Sequence, residues 1–189
     1  MNHYHQSSAS RGTRAAWLAA FLLATALFSV GLTCAVPLVA FAAICALRQN
    51  RGQALLFVGV LWLATELIGF TGLAPVNFPI EWVAFGWAAL VGAALLAGTW
   101  AAHSLARRIP GAGGIVAAFV TAFGVYESVM WAVSGLVGGA AQAFASGILL
   151  QVLVLNGVTF AALLLVGALT SRAGRAPLLG NVHSQRRIV

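Results

Sequence analysis

The chain has three carboxylates and no more, and two of them stand inside apolar runs. Glu66 lies within Ala54–Leu73 and Glu127 within Ile115–Leu136, while Glu81 stands at the head of Ile80–Ala106. A glutamate inside a lipid-solvated helix costs on the order of 2–3 kcal/mol on insertion scales. Such a group must be protonated, hydrogen-bonded within the protein, or engaged by a cationic or polar ligand. Aromatic and amide side chains keep these acids company. Trp62 precedes Glu66 by four residues and Trp131 follows Glu127 by four, so each pair shares a helix face. Tyr126 adjoins Glu127, Trp82 adjoins Glu81, Trp87 lies about a turn and a half deeper, and Asn77 sits between Pro75 and Pro79. A flat ring and a carboxylate on one face suit a flat or cationic ligand. The candidate ligand-binding set is therefore Trp62, Glu66, Asn77, Glu81, Trp87, Tyr126, Glu127 and Trp131. Two plainer roles compete. Trp and Tyr at a membrane interface anchor helices, which suits Trp82 and Trp131, and a protonated carboxyl can simply bond two helices together. Three amides, Gln142, Gln151 and Asn156, lie in the last apolar stretch.

The elements that must position these groups follow from composition. Of 189 residues, 61% are hydrophobic and 7% are charged, against about 25% charged in a soluble domain. Lipid must be the solvent, and the expected fold is an all-α integral membrane bundle. Apolar stretches cover Ala15–Leu47, Ala54–Leu73, Ile80–Ala106, Ile115–Leu136 and Ala140–Thr170, with short breaks at Arg48–Gln53, Ala74–Pro79, Arg107–Gly114 and Gly135–Gly139. As one helix, Ala15–Leu47 would be about 50 Å long, well beyond a hydrocarbon core of about 30 Å. Gly31 and Pro37 near its middle favour a turn and two short spans. In the last stretch the helix proper is expected from about Ser146, after a turn at Gly135, Gly138 and Gly139.

The arginines settle the count. All ten basic residues are arginine: Arg11, Arg14, Arg48, Arg51, Arg107, Arg108, Arg172, Arg175, Arg186 and Arg187. Six spans place every one of them in cytoplasmic segments, as the excess of basic residues in such loops requires, whereas five spans split them. The expected organisation is a cytoplasmic tail at residues 1–14, a compact six-span bundle at 15–170 and a cytoplasmic tail at 171–189, with both termini inside. The expected location is the bacterial inner membrane. The polar start followed by an apolar run reads as a retained first span, because no polar mature domain follows it. All three acids then fall toward the outer face.

Several chemistries are disfavoured. The scattered arginines form no stripe for nucleic acid. His3, His5, His103 and His183 all fall near the cytoplasmic ends or tails, so no span centre offers an axial haem ligand. There is no lysine for a Schiff base or a phosphate-binding loop. On one helix, Cys34 and Cys45 would stand about 16 Å apart, too far for a disulfide. His103, with Trp100, Arg107 and Arg108, marks the inner end of the fourth span, and a role in partner docking is a further candidate for it.

Small residues recur at four-residue spacing in Ala15 and Ala19, Ala16 and Ala20, and again in Gly135 and Gly139, a pattern that lets helix backbones approach closely. With its six short spans, its size and the AxxxA pattern of Ala15, Ala16, Ala19 and Ala20, the chain resembles the substrate-binding (S) components of energy-coupling-factor vitamin transporters. That resemblance implies an outward-opening pocket and a docking surface at the alanines for a transmembrane coupling subunit with its ATPases. Its solitary cobalamin-uptake members use a cysteine near cobalt. Cys34 is on the corresponding side but in a different outer loop, so it is a candidate metal contact only through the resemblance. The implied ligand is vitamin-sized, cobalamin or thiamine-like, carried as cargo with no intrinsic cofactor. Two other readings stay open: an intramembrane enzyme acting on a lipid or isoprenoid, with Glu66 and Glu127 as acid and base, and a structural subunit of a membrane complex.

Overall fold

The computed structural model describes residues 36–71, 82–137 and 146–173. The described residues form five helices: α1 Leu38–Arg48, α2 Arg51–Phe70, α3 Trp82–Ala106, α4 Ala112–Val137 and α5 Ser146–Ala173. The last four are each long and apolar enough to cross a membrane. The chain is thus an all-α, multi-pass membrane protein. The alanines of the docking pattern, Cys34, Asn77, Glu81, Gln142, Gly138 and Gly139 lie outside the described residues.

The helix limits follow local chemistry. Asn50 caps α2, its side-chain oxygen accepting from the Gln53 N–H at 3.0 Å. Only Gln49 and Asn50 therefore separate α1 from α2, fewer than the break read from sequence. Thr71 ends α2, its hydroxyl donating to the Leu67 carbonyl. Between α3 and α4 the chain turns through Pro110 and Gly111, and Gly111 holds φ +70, which a side chain would oppose. The helix α5 begins at Ser146, as the sequence leads one to expect, and runs three residues into the segment read as a tail. One expectation fails. Gly135 is helical within α4 instead of part of a turn, and among the described residues no other helix comes within 4 Å of where its Cβ would be.

The centre of the bundle is α1. It has 11 residues, about 16 Å, half the thickness of a hydrocarbon core. It packs against all four long helices, and Leu38 through Ala46 are all buried. A helix apolar on every side belongs inside a structure, and the alanines at 40, 42, 43 and 46 let its neighbours close around it. Around it α2 packs on α3, α3 extensively on α4, and α4 lightly on α5. Close approach is visible where a Cβ at Gly98 of α3 would lie 2.9 Å from the Ala122 carbonyl oxygen of α4. The rings of Phe119 and Phe160 stack at 4.9 Å between α4 and α5.

Both ends of α1 are held by side chains from other helices. The first turn of any helix leaves N–H groups without intrahelical partners, and in lipid each must be satisfied within the protein. At the start of α1 the Asn156 side-chain oxygen, from α5, accepts from the Ala40 N–H at 3.1 Å. Its amide nitrogen donates to Val152 of its own helix at 3.0 Å, which fixes the orientation of the group. At the other end His103 Nδ1, from α3, donates to the Ala46 carbonyl at 2.9 Å. A carbonyl only accepts, so this bond places a proton on Nδ1.

Candidate functional site

The two ends of the bundle differ in chemistry. The first carries Arg48, Arg51, Arg107 and Arg108. Arg48 closes α1 and its guanidinium lies against Gly167 near the end of α5, where a methyl group would overlap it. Arg51 opens α2 with its guanidinium 5.0 Å from the Trp100 ring centroid on α3. Arg107 and Arg108 follow α3 and are exposed. The ends of four helices and both internal arginine pairs thus gather at one level.

The acids lie at the other end. Glu66 and Glu127 each stand fifteen residues beyond the first residue of their helices, Arg51 and Ala112, about 22 Å along the axis. Both are part-buried. The Glu66 carboxyl is within reach of the Trp62 indole one turn away. Tyr126, also part-buried, is within electrostatic reach of both Glu127 and Glu66. The structure therefore brings Trp62, Glu66, Tyr126 and Glu127 toward one level from two helices, with α3 packed between them.

Trp62 has a second engagement. Its indole N–H donates to the Ala88 carbonyl of α3 at 3.1 Å, and its ring covers Gly92, where a Cβ would fall 2.6 Å from the indole. It is a helix-packing residue first, presenting the remainder of its ring near Glu66. Trp87 is part-buried on α3. Trp131 is 64% exposed and Trp82 is 91% exposed, so both project outward as anchoring residues do. Beside Trp82, Phe85 stacks on Phe70 at 4.7 Å, joining α3 to the end of α2. The hydroxyls of Thr65 and Thr99 donate to carbonyls one turn back, so neither is left without a partner in the apolar interior.

Two carboxyls at one level with a phenol and an indole can hold a cation, accept hydrogen bonds from a polar ligand, or pass a proton. Among the described residues, no group of three or more His, Cys, Asp and Glu side chains is placed to hold a metal ion. Cys45 is a free thiol buried in the last turn of α1. Asn156 was readable as an amide deep in an apolar stretch, where polar groups carry functional or structural weight. Its task of capping a helix more than a hundred residues earlier in the chain has no sequence signature. No protein-family model, no curated protein and no solved structure matches the chain.

Proposed function

We propose that this protein is a substrate-capturing subunit of a bacterial inner membrane, taking up a vitamin-sized molecule from the outer face. In this reading six spans cross the bilayer, both termini and the arginines face the cytoplasm, and the acid-bearing end opens outward. The observation that carries it is the position of Glu66, Tyr126 and Glu127 at one level, at the end opposite Arg48, Arg51, Arg107 and Arg108. Intramembrane acids facing a bundle interior are functional by default. Glu66, Glu127 and Asn77 supply polar contacts, with Glu81 at the rim and Trp87, Tyr126 and the free part of Trp62 as apolar walls. A cationic thiamine-like ligand suits the two carboxylates, and cobalamin is the alternative cargo. Ala15, Ala16, Ala19 and Ala20 meet a transmembrane coupling subunit.

A thermal-shift screen of the purified full chain against vitamins tests this. A ligand at a hundred times its Kd stabilises the folded state by about 2.7 kcal/mol, and that shift should vanish in Glu66→Gln and Glu127→Gln. Unchanged binding in both variants removes the site. Conversion of a copurifying lipid or isoprenoid instead assigns the acids to catalysis. The structural-subunit reading is favoured by one observation, that Trp62 is already engaged in packing α2 on α3, and it predicts neither result.

A further inference from the structure

At the arginine-bearing end a cavity of about 320 Å³ opens between the α1–α2 turn and the end of α3. Its volume falls in the range of ligand pockets, about 300–1,000 Å³. Arg48, Gln49, Asn50, His103 and Arg107 supply its polar lining, and no acidic residue contributes to it. Arg51 and Arg108 adjoin the lining residues in sequence and add to the positive field. The end of α1 points here, and a helix C-terminus disfavours an anion. That effect is blunted, because the Cys45 carbonyl accepts from the Gln49 N–H at 3.0 Å and the Ala46 carbonyl from His103. One buried atom is left over. Gln49 Oε1 has no hydrogen-bond partner among the described residues. An acceptor buried in that way calls for a donor, which a bare anion does not bring.

We propose that this cavity binds a phosphate ester bearing a free hydroxyl, the headgroup of an anionic lipid such as phosphatidylglycerol. The phosphate meets Arg107 in the positive field of Arg48, and the hydroxyl donates to Gln49 Oε1 once the Gln49 side chain turns that buried atom into the cavity it lines. The lipid source follows from position. The cavity lies where α1 and α3 end and α2 begins, the level at which spans meet lipid phosphates and at which basic pockets between helices take up lipid headgroups. Neither the acid pair nor any captured solute is involved.

Native mass spectrometry of the full chain in detergent tests it, with phosphatidylglycerol, phosphatidylmethanol, phosphatidylcholine and soluble glycerol phosphate as probes. Phosphatidylglycerol should be retained best, phosphatidylmethanol, which has the charge but no hydroxyl, less, and phosphatidylcholine least. Arg107→Gln, at an exposed position, should weaken phosphatidylglycerol about fivefold. Gln49→Leu should erase the preference for phosphatidylglycerol over phosphatidylmethanol while phosphatidylmethanol still binds. Equal retention of phosphatidylglycerol and phosphatidylcholine, or wild-type retention in Arg107→Gln, overturns the proposal. Tight glycerol phosphate binding without lipid preference assigns the cavity to a soluble ester and overturns the lipid source.

Discussion

Helices α1 and α5 are both strongly apolar, yet they occupy opposite environments. In α1, Ala40, Ala43 and Cys45 are fully buried, whereas in α5 Leu150, Val158 and Leu165 are each at least 60% exposed. In water such a contrast in burial would accompany a contrast in polarity. In lipid it does not, because acyl chains are as apolar as leucine and nothing drives apolar groups inward. Volume and polar partners sort the helices instead. The small residues of α1 admit four neighbours, and Asn156 and His103 hold its ends. Most of the branched residues of α5 face outward, Leu163 and Leu164 pack against the core, and its one deeply buried amide is the group that reaches α1.

The strongest test of this contrast is Phe41→Ala. Phe41 is the largest side chain of α1 and is 1% exposed, so truncation leaves a hole among closely packed helices. Loss of a buried Phe costs about 3–5 kcal/mol. Thermal unfolding in detergent, followed by tryptophan fluorescence, should show the largest drop in Tm of any single apolar truncation. A drop of a degree or less would mean that α1 is loosely held and is not the organising element.

Asn156→Leu comes next in size. It removes the amide that joins α5 to the first turn of α1 while keeping a side chain of comparable volume. The Ala40 N–H retains a contact of 3.1 Å to the Pro37 carbonyl, so the loss is partial. Interhelical hydrogen bonds in membranes average about 0.6 kcal/mol and reach about 1.7. The expected loss of stability lies in that range, with faster hydrogen exchange in the peptide spanning residues 36–48. Unchanged exchange there would show that the Asn156 cap does not hold the start of α1.

The same contrast explains what the sequence disclosed. The four long helices were legible, because runs of twenty or more apolar residues admit few other structures. So was the gathering of Arg48, Arg51, Arg107 and Arg108 at one end and of Glu66 and Glu127 away from it, since helix rise converts spacing into depth. The interruption at Pro37 was legible and so was a short span beyond it, but not a helix of only 11 residues. Its length depends on Asn50 capping α2 so soon after Arg48, and on Asn156 and His103 compensating a helix end from distant parts of the chain. Within the candidate site, spacing placed Trp62 and Glu66 on one face but could not show that Ala88 and Gly92 engage the indole. Nor could it show that Trp131, at the same spacing from Glu127, projects outward. A four-residue spacing fixes which residues share a face, and the neighbouring helix decides what that face meets.

The smallest expected effect sharpens the comparison from the other side. Leu63 of α2 is 50% exposed and lies on a stripe with Leu56, Val60 and Leu67, all of them exposed. If lipid covers this stripe, truncation to alanine opens no cavity, because acyl chains or detergent fill the space. Leu63→Ala should then shift stability by no more than about 0.5 kcal/mol, against several for Phe41→Ala measured in the same detergent. A loss approaching that of Phe41→Ala would show that the α2 stripe packs against protein. The contrast between a sheltered α1 and lipid-facing neighbours would then hold for α5 but not for α2, and the stripe would be the place to look for a further span of this chain or for a partner subunit.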